Sequence, residues 1–212
     1  HLSIRRQRQM CIRDRLAPFE RRACFSPQIE VKRPLDVNPG AEEIRVLMFG
    51  DCGSGGSEQK NIGEKSALTC EKLGCNLVLM LGDNFIQYGV ENIHDPQFRE
   101  KFEEIYPQKL PFYAILGNHD LKGNWRAQVE YSNHSERWNM PDVNYRFIGG
   151  PVQFMGINTS CTICSLWNLL TPRPTPWRLV FGHRPMETQG RHRGMTWLEK
   201  VFIRSTIKKF IS

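Results

Sequence analysis

Apolar runs that end in a glycine followed by a polar residue are the feature that most constrains this fold. Four stretches share the pattern: Ile44–Phe49 before Gly50-Asp51, Leu77–Leu81 before Gly82-Asp83, Phe112–Leu116 before Gly117-Asn118-His119, and Arg178–Phe181 before Gly182-His183. Short apolar runs without alternation are typical of strands that are buried on both faces. Helices are predicted at Ser57–Leu73, from Asp95 to about Tyr106 and near Trp125–Tyr131, and further strands near Tyr145–Ile148 and Val152–Ile157. The alternation predicts an α/β fold.

The predicted strand ends carry residue types that bind metal ions. Because ligands collect at the carboxyl ends of strands in open α/β sheets, Asp51, Asp83, Asn118 and His183 are expected to converge, with His119 beside them. Carboxylate, amide and imidazole ligands suit zinc, iron or manganese and argue against a soft-metal site. Each residue alone also fits a structural turn. Their succession on four strand ends favours a common site.

Composition and charge narrow the class of protein. A chain of 212 residues, 40% hydrophobic and 24% charged, suffices for one domain and excludes extensive disorder. No apolar stretch reaches the ~18 residues of a membrane span, and no signal peptide is visible. The net charge of +7 lies at the ends, since residues 34–183 hold thirteen Lys/Arg against seventeen Asp/Glu. Neither nucleic acid nor a membrane is therefore expected as a partner.

Seven cysteines form an odd set, so at least one is unpaired or bonded to another chain. Cys161-Thr162-Ile163-Cys164 is a lone C-x-x-C without a second pair at zinc-finger spacing. Ordinary reduced thiols are the favoured interpretation, and a metal or redox role is the alternative. The redox compartment stays open.

Four motifs, in this order, resemble the signature of the calcineurin-like metallophosphoesterases: Gly50-Asp51-Cys52-Gly53, Gly82-Asp83-Asn84, Gly117-Asn118-His119-Asp120 and Gly182-His183-Arg184-Pro185. The flanking residues are similar to the small, tartrate-resistant type of purple acid phosphatase, notably in Phe85, Gly89-Val90 and Arg137–Pro141. The resemblance covers roughly residues 43 to 195. It implies a four-layer α/β/β/α sandwich, in which two stacked sheets flanked by helices hold a two-metal site.

The resemblance also implies a role for each site residue. Asp83 would bridge two metal ions, Asp51 would bind the first, and Asn118 and His183 would bind the second. His119 would lie beside the phosphate, where it stabilises the transition state or helps to protonate the leaving oxygen.

The implied reaction is hydrolysis of a phosphate monoester on a small phosphorylated substrate, by a hydroxide that the two metal ions generate. His192 matches a family histidine near the substrate, and a surface position is its alternative. A phosphodiesterase or nucleotidase activity is the alternative within the enzyme class.

Several features depart from the family pattern. Ile86 stands where purple members have a tyrosine ligand, so no purple colour is expected, and iron, zinc and manganese all remain candidate metals. The final Gly-His-x-His block, which supplies one histidine to each metal, is absent, and the fold is expected to be incomplete at the C-terminus. A catalytically silent domain that binds phosphate or one metal is therefore the alternative to an enzyme.

The ends of the chain are expected to differ from its body. Residues 1–42 are expected to form an N-terminal extension that is non-native or disordered in part, because Gln9–Arg15 resembles translated adapter sequence, and residues 43–212 form the partial phosphoesterase domain. The tail after Gly194 is expected to be a basic helix that covers the sheet.

The resemblance further implies a monomer that is secreted or resides in a lysosome- or vacuole-like organelle. Asn133-His134-Ser135 and Asn158-Thr159-Ser160 are glycosylation sequons that suit such a route. Asn158 ends a predicted strand, which makes it an awkward acceptor for a glycan.

Overall fold

The computed structural model describes residues 35–160 and 174–189, together with five helical residues near the C-terminus: Trp197, Lys200, Val201, Arg204 and Ile207. Most of the predicted N-terminal extension, the Cys161/Cys164 pair and His192 lie outside the described residues. None of the described helices is long and apolar enough to cross a membrane.

The first sheet is parallel and contains four strands in the order β1-β2-β3-β4. These strands are β1 (Val46–Phe49), β2 (Leu77–Met80), β3 (Phe112–Ala114) and β4 (Trp138–Asn139). The first three are the predicted apolar runs, shortened by one or two residues at their ends. The prediction missed β4, because two residues are too few to give a periodic pattern.

The second sheet contains β5 (Tyr145–Gly149), β6 (Val152–Ile157) and β7 (Trp177–Gly182). β5 and β6 are antiparallel, and β7 runs parallel to β6. Val37 pairs with Gly149, and the Tyr113 hydroxyl donates a hydrogen bond to the Leu35 carbonyl. The two sheets confirm the predicted α/β class.

The helices are α1 (Ser57–Leu73), α2 (Pro96–Phe98) and α3 (Trp125–Glu130), with short 3-10 turns at Asp120–Lys122 and Tyr131–Asn133. Asp95 caps α2 as predicted, since its side chain accepts from the backbone amide of Gln97 at 2.9 Å. The helix predicted from Asp95 to about Tyr106 is present, but it ends at Glu103 and changes from α2 to a π-helix over Arg99–Glu103.

Arg137 binds the chain at and just beyond the end of this helix. Its guanidinium donates to the carbonyl of Glu103 at 2.9 Å and to that of Gln108 at 3.1 Å, and it also bonds the carbonyl of Tyr106 and the carboxylate of Glu103. Carbonyl groups near the end of the helix are therefore satisfied by this side chain.

The core lies between the sheets and under the helices. Tyr113 and Phe147 stack across the sheets with ring centroids 3.7 Å apart, and Phe154 stacks on Phe147 at 4.8 Å. The β2 residues are fully buried, but Met48 in β1 is 52% exposed. The expectation of a sheet covered on both faces is therefore met by β2 and β3, whereas β1 is an edge strand of the described sheet.

Two features of the structure bear on the expectations about cysteines and glycosylation sequons. The disulfide state was left open from the sequence, and in the structure Cys70 and Cys75 form a disulfide between the last turn of α1 and the segment before β2. Among the described residues Cys52 is a free cysteine. Asn158 is fully buried, so this fold leaves no room for a glycan there, whereas Asn133 is exposed.

Candidate metal centre

Strand register brings the candidate ligands of the first sheet to one edge. Phe49 pairs with Met80, and Met80 pairs with Ala114, so β1, β2 and β3 end level with one another. The loops that follow are tied together, since the Asp51 amide donates to the Gly82 carbonyl at 3.0 Å. The strand ends that precede Asp51, Asp83 and Asn118 are therefore neighbours. The fourth candidate ligand, His183, approaches them from the second sheet.

Asp51 and Asp83 share an uncommon backbone conformation. Their φ angles are 57° and 53°, in the left-handed region that non-glycine residues rarely adopt. Such conformations cost on the order of 1 kcal/mol or more and persist where the surrounding structure enforces them, often at functional sites. Both candidate ligands therefore sit at sharp turns directly after their strands.

Gly117 permits the closest approach between two of these loops. A Cβ atom at this position would lie 2.1 Å from Asp83 Oδ1 and 2.2 Å from the Asp83 backbone nitrogen. Any other residue would therefore push Asp83 away from the Asn118-His119 loop.

His183 approaches the first sheet from the end of β7. Its Nδ1 lies 2.9 Å from the Leu81 carbonyl oxygen, which can only accept, so Nδ1 carries the hydrogen. In the neutral ring Nε2 is then an acceptor, and it lies 3.2 Å from Asn118 Oδ1 and 3.6 Å from Asp83 Oδ1. A hydrogen bond from the second ring nitrogen to a carbonyl is how metal-binding histidines are commonly oriented.

The donor set fits a bound cation. One ligand atom from each of Asp51, Asp83 and His183 lies within 4.8 Å of the others, and Asn118 Oδ1 faces the same imidazole nitrogen. Acceptor atoms that face one another without a hydrogen between them repel, and a positive ion among them removes that repulsion. Oxygen and imidazole ligands together suit zinc, iron or manganese.

His119 lies beside this cluster, next to Asp83. Its backbone amide donates to Asp83 Oδ1 at 2.9 Å, and its Nε2 lies 3.9 Å from Asp83 Oδ2. Its Nδ1 lies 2.9 Å from the Gln87 carbonyl oxygen, so Nδ1 carries the hydrogen in this ring also. The side chain is 20% exposed.

Comparison with known proteins identifies the family. The model of the calcineurin-like phosphoesterase family matches residues 44–209, a span that includes all four motifs. The chain belongs to the calcineurin-like phosphoesterase family. The resemblance read from the motifs is thereby confirmed.

Named relatives of this phosphoesterase domain are acid phosphatases. Human tartrate-resistant acid phosphatase type 5 is 45% identical over 84 residues, which cover 38% of this chain and 26% of the human protein. Purple acid phosphatase 3 of Arabidopsis thaliana is 28% identical over 209 residues, which cover 82% of this chain and 57% of the plant protein. The chain thus spans about a quarter to somewhat over half of the length of these relatives.

A solved structure described as "GAP50 the anchor in the inner membrane complex of Plasmodium" has the same fold. It superposes with a TM-score of 0.67 at 20% sequence identity, covering 79% of this chain and 62% of that chain. At this identity the likeness concerns the fold alone.

A buried network under the candidate metal centre was not predicted from the sequence. Asp120 is fully buried, and its carboxylate accepts from the backbone amides of Gly117 (2.8 Å), Asn84 (3.1 Å) and Phe85 (3.0 Å). Burial, and then the charge of Asp83, raise the pKa of Asp120 to about 6, although hydrogen bonds from the Gly117 and Asn84 amides and the Gln128 side chain oppose the shift. In the sequence, Asp120 belongs to one of the four motifs, but no role was predicted for it.

Two further positions complete the description of the site. The Ile86 carbonyl accepts from Lys101 Nζ at 2.6 Å, and burial lowers the pKa of that lysine. The Cys52 thiol donates to the Gly50 carbonyl at 3.0 Å, and burial, followed by the charge of Asp51, raises its pKa. Cys52 therefore favours the thiol, which is not a metal ligand.

Proposed function

We propose that this chain hydrolyses phosphate monoesters with the help of two metal ions held at its strand ends. The observation that carries the proposal is the convergence of the acceptor atoms of Asp51, Asp83, Asn118 and His183 from the two sheets. The acid phosphatase relatives support a small phosphorylated substrate. Two metal ions at such a site lower the pKa of a bound water and hold phosphate oxygens for in-line attack.

Each ligand has a distinct task in this proposal. Asp83 is 6% exposed and lies among the other ligands, so its two carboxylate oxygens are suited to bridging two ions. Asp51 would bind the first ion. Asn118 and His183 would bind the second, since Asn118 Oδ1 and His183 Nε2 lie 3.2 Å apart.

His119 handles the proton at the leaving oxygen in this proposal. Because Nδ1 donates to Gln87, Nε2 can donate only when the ring is an imidazolium. The ring would then give its Nε2 proton to the leaving oxygen, or stabilise negative charge on the phosphate without transferring it. Its partial exposure beside Asp83 suits either role.

The test is hydrolysis of p-nitrophenyl phosphate with added manganese, zinc or iron. We expect metal-dependent turnover in the wild type and turnover at least about 100-fold lower in Asp83→Ala. Loss of a residue that only supports a metal ligand commonly costs about 10- to 100-fold, and loss of the ligand itself should cost more. Asp95→Ala is the control, because it removes another largely buried carboxylate that caps α2 and contacts no candidate ligand. Hydrolysis that survives equally in Asp83→Ala would contradict the proposal.

The same experiment separates the alternatives. Faster hydrolysis of bis(p-nitrophenyl) phosphate than of the monoester would favour a phosphodiesterase. Metal binding without turnover of either ester would indicate a silent metal-binding domain.

A further inference from the structure

Gln128 lies on α3, outside all four motifs, and is fully buried beneath the site. Its Nε2 donates to Asp120 Oδ1 at 3.1 Å, and its Oε1 accepts from Asn84 Nδ2 at 3.2 Å. Its backbone carbonyl accepts from Trp138 Nε1 at 2.8 Å, which fixes α3 against β4. The side chain therefore connects two residues that belong to different loops.

Those two loops carry candidate catalytic groups. Asn84 directly follows Asp83, and Asp120 directly follows His119. Asn84 Nδ2 also donates to the Ile115 carbonyl at 2.8 Å, which anchors this loop to the end of β3. The backbone amides of Asn84 and Phe85 bond the Asp120 carboxylate directly, and the Gln128 side chain adds a second link between the loops that carry Asp83 and His119.

We propose that Gln128 is a positioning residue that keeps the Asp83 loop and the His119 loop at the spacing the metal centre requires. The catalytic consequence rests on the proposed function, whereas the effect on loop geometry does not. A glutamine amide offers a donor to Asp120 and an acceptor to Asn84 at the same time. Misplacement of a reacting group by about 1 Å can cost on the order of 100-fold in rate.

A substitution that keeps the volume of Gln128 can separate this role from simple filling of space. Methionine has a similar volume and flexibility, so Gln128→Met keeps the packing but removes both hydrogen bonds. Gln108→Met is the matched control, because Gln108 is 9% exposed and its Nε2 donates to Ser66 Oγ at 2.6 Å. Gln108 precedes β3, whereas the site follows the strand ends.

The first measurement uses metal-free protein, with 15N-labelled histidine and NMR of the imidazole nitrogens. We expect the His119 resonances to shift or broaden in Gln128→Met and to stay unchanged in Gln108→Met. His94 serves as an internal reference, because it lies in the segment before α2, where its backbone amide donates to Asn92 Oδ1 at 2.8 Å. Unchanged His119 resonances in a folded Gln128→Met protein, or an equal change in the control, would overturn the proposal.

The second measurement is the affinity for Mn²⁺, determined by isothermal titration calorimetry. Loss of a group that supports metal ligands commonly weakens binding about 10- to 100-fold, and we expect about 10-fold for Gln128→Met and less than about twofold for Gln108→Met. Equal Mn²⁺ affinity in both variants and the wild type would contradict a positioning role for Gln128. Wild-type protein that binds Mn²⁺ without hydrolysing phosphate esters would refute the proposed function and leave this inference intact. In protein that binds no Mn²⁺, the histidine resonances decide.

Discussion

At the residue scale, the geometry of the candidate metal centre depends on how closely two backbone segments approach. Asp83 occupies a left-handed turn, and Gly117 lies against it with no room for a Cβ atom. Asp83 Oδ1 also accepts from the His119 amide at 2.9 Å. The position of this candidate ligand is therefore set by the neighbouring backbone as much as by its own strand.

Substitution of Gly117 by alanine tests this dependence. We expect Gly117→Ala to lower metal affinity and turnover by at least about 10-fold, because the added methyl group displaces Asp83 from the cluster. Gly56→Ala is the matched control, since its Cβ would meet only Ser54 Oγ, at 3.6 Å. Mn²⁺ titration and phosphate ester hydrolysis measure the effect. Equal behaviour of the two variants would show that Asp83 is not constrained by Gly117.

The convergence of residues was predictable where a metal-binding residue type directly follows a strand end in the sequence. Asp51, Asp83, Asn118 and His183 were predicted to converge because each follows a strand end, and the structure places them together. Their assignment to particular metal ions stays a prediction. Gln128 could not be predicted, because it lies on a short helix and meets Asp120 and Asn84 only through the tertiary fold.

At the scale of elements, the bounds of α1 were predictable and those of α2 were not. Gly56 and Gly74 flank α1, and Gly74 ends it with a φ of 74°, a conformation that favours glycine. The bounds Ser57–Leu73 therefore match the prediction. α2 continues as a π-helix, whose last residue, Glu103, is bonded by Arg137. Arg137 is 34 positions away in the sequence, so no local pattern predicts this contact.

The Cys70–Cys75 disulfide fastens the end of α1 to the start of β2. It closes a loop with a sequence separation of 5 residues. Chain entropy for so short a loop predicts a stabilisation of about 2 kcal/mol. We expect the double variant Cys70→Ser/Cys75→Ser to lose about this free energy of unfolding in urea.

Dithiothreitol provides the control for this measurement. It should destabilise the wild type and leave the double variant unchanged. A wild type that unfolds at the same urea concentration as the variant would contradict the stabilising role.

At the scale of the whole molecule, the site joins two sheets. Asp51, Asp83 and Asn118 follow strands of the first sheet, and His183 follows β7 of the second. The α/β class followed from the apolar runs, but the division into two sheets came from the family resemblance. Residues 34–183, which contain all of these ligands, carry more acidic than basic side chains, so a bound cation also offsets local charge.

Titration of Mn²⁺ into wild-type protein and into Asp83→Asn, followed calorimetrically, tests the central claim most directly. Asparagine keeps the shape of Asp83 but removes its charge and one carboxylate oxygen. We predict saturable binding to the wild type and affinity at least about 10-fold weaker in Asp83→Asn. Equal affinity for both proteins, or no saturable binding to the wild type, would contradict a metal centre at these strand ends.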